Sequence, residues 1–158
     1  MNLNIIYRLY KLERKLYLLK IPVIPIIIYV FMRIFLGAVV PYKTKIGNNA
    51  VFGHSGLGLV LHPDAVIGDN AYIMHNVTIG GRGKAQVPII GNNVFIGTGA
   101  IVLGDITIGD DVVIGANAVV IKSVPDNCVM AGVPARQVKT SDQCESINYN
   151  GMLPGRKK

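Results

Sequence analysis

Three histidines, His54, His62 and His75, are all that the chain contains, and they fall within 22 residues of one another. Imidazole is the one side chain whose ordinary pKa suits proton transfer near neutrality, so such a group points to general-base chemistry. Zinc is the alternative for three histidines, but no carboxylate pattern accompanies them and no metal is expected. Cys128 and Cys144 are too few for a disulfide framework and sit outside any metal spacing; they read as free thiols in a reducing compartment.

The elements that must position the histidines announce themselves by an interval of six. An aliphatic or aromatic residue recurs at Ile46, Phe52, Leu61, Ile67, Ile73, Ile79, Ile90, Ile96, Val102, Ile108, Ile114 and Val120. A helix repeats every 3.6 residues and a half-buried strand every second one, so this interval means short strands turning a corner at fixed spacing. Glycine follows the aliphatic residue in eight of the twelve units, and Asn or Asp often comes next, as at Asn48, Asp69, Asn92 and Asp110. Glycine is expected to supply the permissive dihedrals of the corner, and Asn and Asp, here also Asn49, Asn70, Asn93 and Asp111, to tolerate them nearly as well. Four residues after each aliphatic a small or branched residue recurs, such as Ala50, Ala71, Val94 and Ala118, suited to the inside of a narrow coil. The implied fold is all-β: a parallel β-helix of about four stacked turns with three six-residue sides to a turn.

Two interruptions break the interval, and each must bulge as a loop. One holds His54-Ser55-Gly56-Leu57-Gly58 and adds three residues between Phe52 and Leu61; the other is Gly80 to Ile89. Loops on a rigid coil are where sites are built.

Ahead of the coil, residues 1–40 form a helical segment. Ile5, Leu9, Leu12, Leu16 and Leu19 share one helical face, with Arg8, Lys11, Arg14 and Lys15 on the remainder. Residues 21–40 carry one charge over the length of a membrane span, but Pro22, Pro25 and Arg33 oppose spanning. Of the net charge of +7, all the excess lies in residues 1–45, where eight Lys or Arg face the single Glu13; residues 46–158 hold eight of each sign. The coil is therefore neutral, Trp is absent and no reader motif occurs, which argues against nucleic acid. A basic, apolar N-terminus instead suits peripheral contact with the inner face of a cell membrane, the protein remaining cytoplasmic. Packing on protein is the plainer reading of the same helix.

The stretch FGHSGLGLVLHPDAVIGDNAYIMHNVTIGGRGK, followed by IIGNNVFIGTGAIVLGDITIGDDVVIGANAVVIKSVPDNCVMAGVPAR, resembles the hexapeptide-repeat acetyltransferases of the serine O-acetyltransferase branch, most closely those acting on capsular and colanic-acid polysaccharides. The resemblance implies a left-handed β-helix over residues 41–138, followed by a C-terminal tail over 139–158. It further implies a homotrimer, acetyl-CoA as co-substrate, and a sugar hydroxyl of a polysaccharide precursor as acceptor. Serine is the alternative acceptor, and a non-catalytic trimeric membrane-associated module is the alternative outside enzymes. By the same resemblance His54 is the general base and His75 the second catalytic candidate. Acetyl-CoA is expected along Gly97, Thr98, Gly99, Ala100, Gly115 and Ala116, with Lys122 and Arg136 toward its phosphates. Backbone N–H groups of the glycine corners are the expected oxyanion donors. Three departures stand out. The branch's acidic orienting residue falls near Val39, the aspartate before its histidine is Gly53, and an Arg-His-Pro of the serine-specific members reads Gln86-Val87-Pro88. Asp64 is the nearest later carboxylate.

Overall fold

The computed structural model describes residues 4–83 and 87–140. Two helices come first, α1 (Ile5–Leu18) and α2 (Ile24–Phe35). Twelve short strands follow in threes. The first level is β1 (Lys45–Ile46), β2 (Val51–Phe52) and β3 (Val60–Leu61), and the second β4 (Val66–Ile67), β5 (Tyr72–Ile73) and β6 (Thr78–Gly80). The third is β7 (Ile89–Ile90), β8 (Phe95–Ile96) and β9 (Ile101–Leu103), and the fourth β10 (Thr107–Ile108), β11 (Val113–Ile114) and β12 (Val119–Val120). Each side of the coil stacks every third strand in parallel: β1-β4-β7-β10, β2-β5-β8-β11 and β3-β6-β9-β12. The second side continues into β13 (Cys128–Ala131), against which β14 (Arg136–Thr140) returns antiparallel.

The core is the one the interval of six implies. Eleven of the twelve recurring residues are buried, Ile46 being partly so, and Ala50, Ala71, Val94, Ala100 and Ala118 fill the corners between them. One level cannot cover its own interior, so burial is shared between neighbours along the axis.

At the corners that close the first side the permissive dihedral falls to Asn and Asp, at Asn49 (56°), Asn70 (57°), Asn93 (55°) and Asp111 (57°), while Gly47, Gly68, Gly91 and Gly109 keep ordinary angles; on the second side Gly99 takes it (70°), as Asn76 (58°) and Asn117 (56°) do. The first-side glycines are needed for clearance instead: a Cβ on Gly68 would lie 2.5 Å from the Gly91 carbonyl oxygen of the next level. The turn residues also tie the levels together. Asn48 N–H donates to Asp69 Oδ1 (2.6 Å), Asp69 N–H to Asn92 Oδ1 (2.9 Å), Asn92 N–H to Asp110 Oδ1 (2.6 Å) and Asp110 N–H to Asp126 Oδ1 (2.9 Å).

Helix α1 lies across the open first level, and the face it packs is not the leucine stripe. Ile6, Tyr10 and Glu13 are buried, whereas Ile5, Leu12 and Leu19 are exposed. Polar reach decides the choice of face. Tyr7 and Tyr10 donate their hydroxyls to the carbonyls of Gly47 and Thr44, both at 2.7 Å, Asn4 donates to the Ala50 carbonyl (2.7 Å), and Arg14 Nη1 donates to those of Tyr42, Lys43 and Thr44. Helix α2 is 12 residues long, with Pro25 in its first turn where a missing N–H costs nothing. Among the described residues no helix is long and apolar enough to cross a membrane. Cys128 is buried and has no disulfide partner among the described residues, and burial pushes its thiol pKa up; Cys144 lies outside the described residues.

Candidate active site

The registers of the second side bring the candidate residues into one column. Phe52 pairs with Ile73, Ile73 with Ile96, and Ile96 with Ile114. Two residues beyond each of these sit His54, His75, Thr98 and Ala116, so both catalytic candidates and two of the cofactor candidates occupy the same corner at successive levels. The column is held by main-chain bonds: Gly99 N–H donates to the His75 carbonyl (3.1 Å) and Asn117 N–H to that of Thr98 (2.8 Å).

At its head the two imidazoles meet. Their ring centroids are 4.8 Å apart with planes at 81°, an edge-to-face contact. His54 is exposed on the inserted loop, and His75 is half-buried with a buried Nδ1 that has no hydrogen-bond partner among the described residues. The loop folds as a short 3-10 turn, Gly53–Gly56, in which His54 (φ 50°, ψ 39°) and Ser55 (φ 55°, ψ 27°) both take the left-handed conformation. Two successive non-glycine residues in that region are uncommon, and such backbone strain concentrates at functional sites.

Other candidates fall elsewhere. Ala100 is wholly buried in the coil with its N–H donating to Gly97, so its side chain cannot line a groove. Gly97 is buried, and a Cβ there would lie 2.6 Å from the Ala116 nitrogen; clearance between levels accounts for it. Lys122 and Arg136 are exposed, as phosphate contacts need to be, and Arg136 donates to the Ala135 carbonyl. For most of the glycine corners the expectation about oxyanion donors is corrected. The N–H groups of Gly97 and Gly115 already donate to Ile114 and Met130, as Gly68, Gly91 and Gly109 donate along their own side. Stacking uses these donors, so they are not free for an oxyanion.

Asp64 faces His62. Its carboxylate lies 3.8 Å from His62 Nδ1, to which its own N–H donates at 3.1 Å. Among the described residues His54 makes no side-chain hydrogen bond or ion pair with a carboxylate. At position 53 a side chain would have to displace that of Met74, because a Cβ on Gly53 would lie 2.7 Å from Met74 Sδ. Val39 bridges Val60 in the coil as an extension of the third side. Nor do three His, Cys, Asp or Glu side chains converge as a metal site among the described residues.

Residues 88–122 match the family model described as bacterial transferase hexapeptide (six repeats). Over 85% of its length the chain superposes on the crystal structure of serine acetyltransferase from Brucella abortus, with a TM-score of 0.81 and 33% identity, covering 55% of that chain. The coil is a left-handed hexapeptide-repeat β-helix. This β-helix is also found in a Brucella abortus serine acetyltransferase solved in complex with coenzyme A, at a TM-score of 0.80 and 33% identity, the match spanning 85% of this chain and 54% of that one. In sequence, serine acetyltransferase of Synechococcus elongatus is 38% identical over 80% of this chain and 52% of its own, and that of Staphylococcus aureus (strain Mu50) 44% identical over 68% and 51%. The chain thus spans about half the length of the curated relatives it matches.

Proposed function

We propose that this chain is an acetyl-CoA-dependent O-acetyltransferase that works as a homotrimer, with His54 as general base. The edge contact of His54 and His75 at the head of a column running on to Thr98 and Ala116 carries the reading. An acceptor hydroxyl gives its proton to the His54 imidazole as its oxygen attacks the thioester carbonyl carbon. The tetrahedral adduct then expels the CoA thiolate, which takes the proton back from the imidazolium, leaving an O-acetyl ester and CoA. His75, packed edge-on, limits the rotation of the His54 ring. Acetyl-CoA runs along the column in the groove between two subunits, with Lys122 and Arg136 toward its phosphates.

Serine is the acceptor best supported, because the named relatives are serine acetyltransferases. A sugar hydroxyl of a polysaccharide precursor is the second reading, favoured by one observation. Gln86-Val87-Pro88 stands in the sequence where serine-specific members carry an Arg-His-Pro that helps hold the amino-acid substrate. A zwitterionic acceptor calls for charged partners, whereas a neutral sugar does not. Incubating the protein with labelled acetyl-CoA and either L-serine or a panel of sugars separates the two. Label in O-acetylserine supports the first reading, label only in sugars the second, and failure to bind acetyl-CoA leaves the non-catalytic module.

A further inference from the structure

Helix α2 is apolar on two sides, and the coil covers only one. Pro25, Ile28, Met32 and Leu36 face inward. Val23, Ile26, Ile27, Val30, Phe31 and Ile34, at steps of three and four, form a continuous outer stripe in which each side chain is between 42 and 67% exposed. On α1 the exposed residues Arg8, Lys11, Leu12, Lys15 and Leu19 share a face by the same spacing, so basic and apolar groups alternate there. We propose that this helical hairpin docks on an anionic lipid surface, with the outer stripe of α2 laid into the headgroup region and the basic residues against lipid phosphates.

Charge decides between a lipid surface and a second copy of the chain. Residues 1–45 carry eight Lys or Arg and one acid, Glu13, which is buried under α1. A symmetric contact between two hairpins would press like charges together with no exposed acid to pair them, and such juxtaposition is unfavourable. Anionic lipid answers both halves of the surface at once, since apolar burial and basic attraction together give an attachment that neither gives alone. At 12 residues α2 is roughly 18 Å long, enough to lie along the interface and too short to cross it. The docking is independent of the chemistry proposed above. It also has a geometric consequence: the His54 turn packs on α1, Gly56 against Ile6, so the candidate base would sit at the membrane-proximal end of the coil.

The test is co-sedimentation of the full chain with vesicles of phosphatidylcholine alone or with one quarter phosphatidylglycerol, at low and high salt. Binding at least tenfold stronger to the anionic vesicles, weakened by salt, is expected. Arg8→Gln with Lys15→Gln should lower that partitioning about 30-fold, from two lost basic residues. Ile27→Ser with Ile34→Ser should lower it as well, both pairs leaving the thermal melt unchanged because all four side chains are exposed. Equal partitioning on the two vesicle types, or none on either, overturns the proposal. So does a larger assembly that Ile27→Ser with Ile34→Ser splits and vesicles leave intact, since the stripe would then belong to a contact between copies.

Discussion

Replacing Glu13 by Gln should flatten the dependence of stability on pH. The carboxyl is fully inaccessible, neither oxygen has a hydrogen-bond partner among the described residues, and burial raises its pKa from 4.5 to about 8. The nearest cation in sequence, Arg14, spends its guanidinium on the carbonyls of Tyr42, Lys43 and Thr44. A raised acid holds its proton in the folded chain over a range where the unfolded chain has released it. Stability from this group is therefore complete below about pH 4.5 and is lost as pH rises through about 8. Each pH unit within that window is worth about 1.4 kcal/mol, and with water relaxing around the buried carboxylate the total comes to roughly 3–5 kcal/mol. Urea unfolding at fixed protein concentration, from pH 5 to 9, measures it. The wild type should weaken steadily up to pH 8 and then level off, while Glu13→Gln lacks this decline; subtracting one curve from the other cancels the histidines. Parallel curves would refute the reasoning.

His54→Ala should lower turnover at least a hundredfold with CoA affinity and subunit assembly unchanged, read by steady-state kinetics and sedimentation. His75→Ala should cost about tenfold in kcat with little change in KM, since it acts through His54; a larger loss than His54→Ala would assign the base to His75. Gly97→Ala should destabilise the coil by about 2 kcal/mol in urea, because the added Cβ meets the Ala116 nitrogen at 2.6 Å and backbone cannot step aside.

Most of the coil could be read before any coordinates, because a six-residue interval has one structural explanation. The column itself was countable: Phe52 and Ile73 are three units apart once the three inserted residues are allowed for, so His54 and His75 must share a corner. That the rings touch was not countable, since it depends on a left-handed turn at His54 and Ser55, where composition offers no glycine. The packing face of α1 was hidden for a different reason. Hydropathy favoured the leucines, whereas the end of the coil presents carbonyl oxygens, and the hydroxyls of Tyr7 and Tyr10 reach them. Glu13 went under with that face. The division of labour at the corners was not legible, because clearance between levels and freedom of φ both select glycine, and only the geometry shows which of Gly, Asn and Asp takes the turn at each corner.

A parallel coil has unpaired strand edges at both extremities, which in isolation would template end-to-end growth into a fibre. Here the tyrosines of α1 bond over the first of these edges, and β14, by reversing direction against β13, breaks the parallel repeat on the second side at the other. End-to-end growth is thereby hindered where these elements lie. The histidine corner runs along one of the coil's long sides, where the proposed trimer would make its contacts.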